Sequence, residues 1–285
     1  MAVEAEPTSL KLQRYFGCGS CGIPLLALFP SDWSFLGSGT DSGRPEENEA
    51  RRSAGAVQGR NRQTVSDDLT RTLIIAVDGP AASGKGSIAS RLAAHYGLPH
   101  LDTGLLYRAT GMKVLAAGGD LGDAGAATRA AESVTPGDLI DETALTSRGA
   151  GEAASRVASH PGVRAALLKL QQDFARQAGG AVLDGRDIGT VIAPDAPVKL
   201  FVTAAPETRA RRRWLQLTGR GEAIAFEDML ADIIRRDERD AGRGAAPMVM
   251  ADDAVLLDTT EMDIEAAFDA ARRIVEAARV RHGFQ

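Results

Sequence analysis

Residues 72–88 read TLIIAVDGPAASGKGSI, an apolar, largely β-branched run that ends in Asp78 and passes straight into glycines. Leu73, Ile74, Ile75, Ala76 and Val77 show no polar alternation, which predicts a strand buried on both faces. Gly79 to Lys85 then follow G-x-x-x-x-G-K, and Ile88, Leu92 and Ala93 recur at the spacing of one helix face. A strand, a glycine loop and a helix start in that order make a cradle for polyphosphate. Backbone N–H groups and the positive helix end face the anion, and Lys85 supplies a mobile charge. Gly86 stands where the strict motif has Ser or Thr, so Ser87 is the candidate hydroxyl near Mg2+.

Beyond this segment strand and helix patterns alternate. Residues 99–102 predict a short strand, and Thr103-Gly104 opens a helix through Tyr107 and Met112, followed by a Gly/Asp-rich linker over 118–125. Pro161 suits the first turn of a helix carrying Val163, Ala166, Leu167, Leu170 and Phe174 on one face, and Gly179-Gly180 stops it. Residues 181–183, 198–202 and 255–257 predict further buried strands. Pro206 opens a helix through Leu215, and Phe226, Met229, Leu230, Ile233 and Ile234 stripe another. Ile264, Ala267, Phe268, Ala271 and Val275 mark the last helix. Five two-sided apolar strands between helices predict an α/β fold, a parallel sheet covered on both faces. Such sheets bind ligands beyond the carboxyl ends of their strands. Asp78-Gly79, Asp102-Thr103 and Asp184-Gly185 are therefore expected on one rim.

The 285 residues carry a net charge of −5 with 25% charged residues, a balance that argues against a nucleic-acid binder. No apolar run is long enough to span a bilayer; the best, residues 23–29, is short and contains Pro24. Cys18 and Cys21 have no second cysteine pair or histidine pair to make a zinc or redox motif and are read as incidental. No cysteine follows residue 21, which suits a reducing compartment, and the cytoplasm is expected. Residues 1–69 are rich in Gly, Ser, Pro and charge, as in SGTDSGRPEENEARRSAG (38–55), and are expected to be a disordered extension. Residues 70–285 form the predicted domain.

Moving a phosphoryl group between two phosphate-bearing molecules gathers negative charge, and positioning and neutralisation do most of the work. Candidate cations are Arg108, Arg164, Arg186, Arg209, Arg212, Arg213, Arg235, Arg236, Arg239 and Arg243. Arg213 and Arg235 are read as partners of acids on helix faces, and Asp232 and Arg236 stand in the favourable order for an i,i+4 pair. Arg186, on a glycine turn at a strand end, is read as functional. Asp184 could hold Mg2+ directly or through water, and Asp187 could accept from a base amino group. His95, His100, His160 and His282 are scattered and are assigned surface or helix-end roles. A guanine-specific switch would carry N-K-x-D and a protein kinase H-R-D-x-x-x-x-N, yet no Asn follows Asn61. A translocase would want a basic track.

GPAASGKGS (79–87), LDTGLLYR (101–108), ASRVASHPGVRAALL (154–168), DGRDIGTVIAPDAPVKLFV (184–202) and RRDERDAGR (235–243) together resemble bacterial cytidylate (CMP) kinase, over roughly residues 72–280. The G-K-G-[ST] form is typical of nucleoside-monophosphate and small-metabolite kinases. The resemblance implies a P-loop NTPase-type parallel sheet and transfer of the ATP γ-phosphate, with Mg2+, to CMP or dCMP in pyrimidine nucleotide metabolism. It implies a phosphotransferase acting on free nucleotides; a monomer is expected. Gly79, Pro80, Ala81, Ala82, Ser83, Gly84, Lys85, Gly86 and Ser87 fall on the ATP phosphate loop. Arg108, Arg186, Arg236 and Arg243 fall on arginines that hold the acceptor phosphate and the transferred group; with Lys85, Arg186, Arg236 and Arg243 are the implied catalytic residues. Ser155, Arg164 and Asp187 match cytosine-reading positions and Asp240 one near the sugar, and Thr103 keeps the hydroxyl of a serine often found there. Longer members insert a small sheet domain between Leu121 and Ser155. Here only about thirty residues stand in that place, so a reduced NMP-binding insert (about 118–158) and a short lid (about 209–243) are expected. The alternative is a related P-loop kinase acting on AMP, UMP or a small acid.

Overall fold

The computed structural model describes residues 72–244 and 246–284. The extension expected over residues 1–69 lies outside the described residues.

The glycine-loop unit forms as its pattern predicts. Strand β1 (Ile74–Asp78) is buried along its whole length and helix α1 (Lys85–Tyr96) turns Ile88, Ala89, Leu92 and Ala93 into the core. Strand β2 (His100–Asp102) feeds α2 (Thr103–Ala116), four residues longer than the sequence suggests. Asp102 starts that helix by accepting from the Gly104 amide. The insert is wholly helical among the described residues: α3 (Ala124–Glu132), a 3-10 turn (Pro136–Leu139), a single turn α4 (Glu142–Leu145) and α5 (Arg148–Val157). Pro161 opens α6 (Pro161–Ala175), and β3 (Ala181–Gly185) follows after Gly179 and Gly180, both left-handed. A π-turn (Ile188–Ile192), β4 (Val198–Thr203), α7 (Pro206–Thr218), α8 (Phe226–Ala241), β5 (Val255–Asp258) and α9 (Ile264–His282) complete the domain.

All four strand pairings are parallel, in the order β2-β3-β1-β4-β5. On one face Ile75, Val77, Val182 and Val202 pack against Ile88 and Leu92 of α1 and Val275 of α9. On the other, Ala76 and Leu183 pack against Leu106 of α2 and Leu167 of α6. Fully burying each large aliphatic contributes about 1.5–3 kcal/mol, and the interleaving along β1 and β3 fixes register. Register brings Asp102 opposite Asp184, Val77 opposite Asp184, and Asp78 opposite Gly185. The three acidic strand ends therefore meet on one rim, as expected.

Three expectations change. Strand β5 is not two-sided: Val255 and Leu256 are 40% and 55% exposed, because β5 is the edge strand and only Leu257 meets the core. Ile234 and Ile264 lie on solvent-facing turns instead of on their helices' buried stripes. Asp232 pairs with Arg148 of α5 and with Arg235, not with Arg236, whose side chain is drawn into the site.

Candidate active site

The glycine loop takes its shape from close approach. At Gly79, φ is +144° and a Cβ would stand 2.0 Å from the Val202 carbonyl oxygen, so only glycine lets β1 end beside β4. Ala82 and Gly84 also have positive φ, a geometry that lets successive N–H groups converge on one anion. Helix α1 begins with no side-chain cap and no acid in its first turn, which leaves its leading amides free for a ligand. The loop carbonyls are held from outside. Arg209 reaches the Ala81 carbonyl at 3.4 Å and pairs with Asp237 at 2.6 Å, and the Thr259 hydroxyl donates to the Ser83 carbonyl at 2.9 Å. Arg212 also reaches the Ser83 carbonyl, at 3.5 Å. Lys85 makes no hydrogen bond within the described residues. Burial, with the nearby Arg186 and Arg236 charges, pushes its ammonium down to about 7, against the pull of Asp184 and Asp102.

Beside the loop, the segment after β3 gathers a second set of charged side chains. Asp78 accepts from the Ile188 and Gly189 amides, both at 2.8 Å. Burial pushes the Asp78 carboxyl up to about 6 although these two donors favour its charged form. The turn held this way presents Arg186 and Asp187 to a half-open cavity, lined also by Thr103, Tyr107, Ser155, Arg164, Arg236, Asp240 and Arg243. Asp240 is fully buried and receives Arg186 at 2.9 Å and Arg243 on its other oxygen. Burial alone would raise its carboxyl, but Arg186, Arg243 and Arg236 hold it below its usual range. Arg164 pairs with Asp187 and lies over the Tyr107 ring, 5.6 Å from its centroid.

The pairing is incomplete where a ligand would complete it. Arg236 is half-buried and makes no hydrogen bond or ion pair within the described residues, and its Nε is sealed from solvent. Burial, reinforced by Arg186, pushes it down to about 9. The Ser155 hydroxyl is buried without a partner as well. Arg108 donates to the Leu145 carbonyl at 2.8 Å, and burial lowers its pKa while its Nε has no acceptor. Buried cations without partners are costly, and an incoming anion removes the cost.

Eight of the nine residues expected around an acceptor line this one cavity, several of them partnering one another; the ninth, Arg108, is not in its lining and turns to the Leu145 carbonyl. Thr103 donates its hydroxyl to the Asp184 carbonyl at 2.9 Å. Arg213 leaves the acids of its own helix and reaches the Thr146 carbonyl at 2.8 Å, bridging α7 to the insert. Arg239 and Arg148 do the same from α8 and α5, to Glu152 at 3.1 Å and Asp232 at 2.6 Å.

His100 corrects the sequence reading. It is no surface residue, for its Nε2 lies 2.8 Å from Asp184 Oδ1. Strand β2 has only three residues, so a histidine at its start still reaches the rim. Asp78, expected on the rim, had no role assigned to it there, and Tyr107 was expected only as a helix residue. The apolar character of the helix around Tyr107 and the strand-end position of Asp78 were the available signals.

Whether this chain's residues fit a Mg2+ ion turns on Asp184. Burial would raise its carboxyl, yet the His100 hydrogen bond and the charges of Lys85 and Arg186 hold it low. One oxygen is used by His100; the other lies 3.6 Å from the point where a Cβ on Gly86 would stand. An ionised carboxylate oxygen facing the helix start, with the exposed Ser87 close in sequence, suits a hard cation bridged to phosphate. Among the described residues no group of three or more His, Cys, Asp or Glu side chains could hold a metal ion.

The profile of the family described as cytidylate kinase matches residues 75–277. The chain belongs to the cytidylate kinase family. Among its relatives, the cytidylate kinase of Caulobacter vibrioides (strain NA1000 / CB15N) is 66% identical over 211 residues, 73% of this chain and 98% of that protein. That of Xanthobacter autotrophicus (strain ATCC BAA-1158 / Py2) is 64% identical over 207 residues, 73% of this chain and 99% of that protein. That of Rhodopseudomonas palustris (strain TIE-1) is 56% identical over 207 residues, 73% and 97% of the two chains. The match is to the cytidylate kinase family and gives no support to another small-molecule kinase of the same fold. Among the described residues no helix is long and apolar enough to cross a membrane.

Proposed function

We propose that this chain transfers the γ-phosphoryl group of ATP to CMP or dCMP, giving ADP and CDP or dCDP. The observation that carries the proposal is Arg236, a half-buried guanidinium with no partner of its own, facing a cavity beside Lys85 and the glycine loop. In this scheme residues 79–87 hold the ATP phosphates, and Lys85 regains full charge against them. Arg108, Arg186 and Arg236 hold the acceptor phosphate, and Arg243 joins them once Asp240 turns to the sugar. A Mg2+ ion held at Ser87 and Asp184 would neutralise charge on the donor phosphates. The protein's contribution is alignment and charge, with Arg186 and Arg236 flanking the phosphoryl group in flight.

Base choice is assigned to Asp187, Arg164 and Ser155. Cytosine offers an amino donor where uracil has a carbonyl. Asp187 accepts from that amino group, and Arg164 and Ser155 donate to the ring's acceptor edge. UMP would set a carbonyl oxygen against a carboxylate. Arms α7–α8 and the helical insert close over the acceptor and exclude water, which protects ATP from hydrolysis. We also infer a cytoplasmic monomer that acts on free nucleotides and not on nucleic acid, consistent with the negative charge and the absence of cysteine after residue 21.

The test is ADP release with ATP and, in turn, CMP, dCMP, UMP, AMP or no acceptor. CMP and dCMP are expected to exceed UMP and AMP in kcat/KM by at least about 100-fold, as for sites that reject a ligand by leaving buried polar groups unpaired. Equal turnover of UMP or AMP would overturn the assignment of the base-reading residues.

A further inference from the structure

The side chain of His100 has no part in the scheme above, yet it is built into the centre of the rim. It is mostly buried, with 17% of its side chain exposed, and it stands on the edge strand β2 in register with Val182. From there Nε2 reaches diagonally to Asp184 Oδ1 at 2.8 Å, and the Asp184 side chain is only 2% exposed. The next residue of β2 on the same face is Asp102, directly opposite Asp184 in register. Two carboxylates so placed repel each other, and each would turn away if unrestrained. Directly after Asp102, the Thr103 hydroxyl donates to the Asp184 carbonyl at 2.9 Å, so β2 and its helix start grip the same residue by side chain and backbone. The free oxygen of Asp184 is left facing Gly86, where a Cβ would come within 3.6 Å of it.

We infer that His100 is a positioning residue which, by donating from Nε2 to Oδ1 of Asp184, fixes Oδ2 toward the start of α1 and so toward a divalent cation carried by the donor nucleotide. The inference rests on the proposed placement of that cation at Asp184. Residues that orient a metal-facing carboxylate set its rotamer and its remaining lone pairs, and losing one typically weakens metal affinity about 10- to 100-fold. His100 itself touches neither metal nor nucleotide. Its effect travels through one hydrogen bond to one carboxylate.

The experiment measures Mn2+ binding by electron paramagnetic resonance in the presence of a non-hydrolysable ATP analogue, for the full chain and for His100→Leu and His100→Gln. Leucine fills similar volume without a donor, whereas the glutamine amide places a donor nitrogen near the position of Nε2. Expected are wild-type binding, a loss of about 10-fold or more for His100→Leu, and a loss within about threefold for His100→Gln. Affinity for the analogue without metal stays level across all three. A second measurement needs no variant: the nitrogen resonance of His100 Nε2 in the wild-type chain should shift when Mg2+ is added to the analogue complex and stay still when it is added without nucleotide. Equal Mn2+ affinity for leucine, glutamine and wild type, or an unmoved His100 resonance, overturns the inference. If the wild-type chain shows no metal-dependent tightening of the nucleotide at all, the cation's placement falls as well, which separates the two failures.

Discussion

Arg236 is the residue on which the site turns, because its charge lies among cations in partial burial without a compensating acid of its own. Such a group lowers stability in the empty protein and raises it in the loaded one. Arg236→Ala is therefore expected to lower kcat/KM for CMP by about 10³-fold, while the thermal midpoint of the empty protein stays level or rises. A large drop in midpoint would mean that Arg236 is a structural cation. Lys85 makes the matching case on the donor side. Its free-state value of about 7, depressed chiefly by burial, leaves it mostly neutral at pH 8. Phosphate contact raises that value, so ATP binding at pH 8 should take up close to one proton, and at pH 6, where the lysine is already charged, nearly none. Calorimetry in buffers of different ionisation enthalpy reads this directly; heats independent of buffer at pH 8 would show that Lys85 is charged before ATP arrives.

At the scale of elements, the close backbone approach at Gly180 lies at the opposite end of the sheet from the candidate site. Gly180, at the amino end of β3, has φ of +102°, and a Cβ there would stand 2.3 Å from the Leu73 carbonyl oxygen. Gly180→Ala is expected to cost about 1–3 kcal/mol in denaturant unfolding with kcat per folded molecule unchanged, since the rim is at the other end. A matching fall in kcat would mean that strain travels the length of β3. The elements themselves were largely legible in sequence: all five strands, and the helices opened by Pro161 and Pro206, stand where apolar runs and prolines predict. Burial at the sheet edge was not legible, because Leu256 looks the same whether or not a further strand covers it. Nor was the destination of Arg213 or Asp232, since a helix-face spacing names possible neighbours along one helix, whereas both side chains reach across to the insert. The His100–Asp184 contact was hidden for the same reason, as it depends on the register between two strands that are 84 residues apart at this pair.

For the whole molecule, the relatives are matched over 97–99% of their own length by 73% of this chain, and the family profile begins at residue 75. A chain beginning at residue 70 should therefore keep the kcat, the CMP KM and the thermal midpoint of the full chain. Loss of activity or solubility on truncation would assign the first 69 residues a part in the enzyme. Within the domain, Asp78 joins two machines that would otherwise be independent. It ends the strand that feeds the donor loop, and its two oxygens hold the amides of the turn that carries Arg186 and Asp187. On the proposed reading, the gap that a phosphoryl group must cross is set by one carboxylate and by the strands behind it. In the proposed scheme the helical arms swing to admit and release nucleotides without disturbing that span, which makes loading and alignment mechanically separate duties.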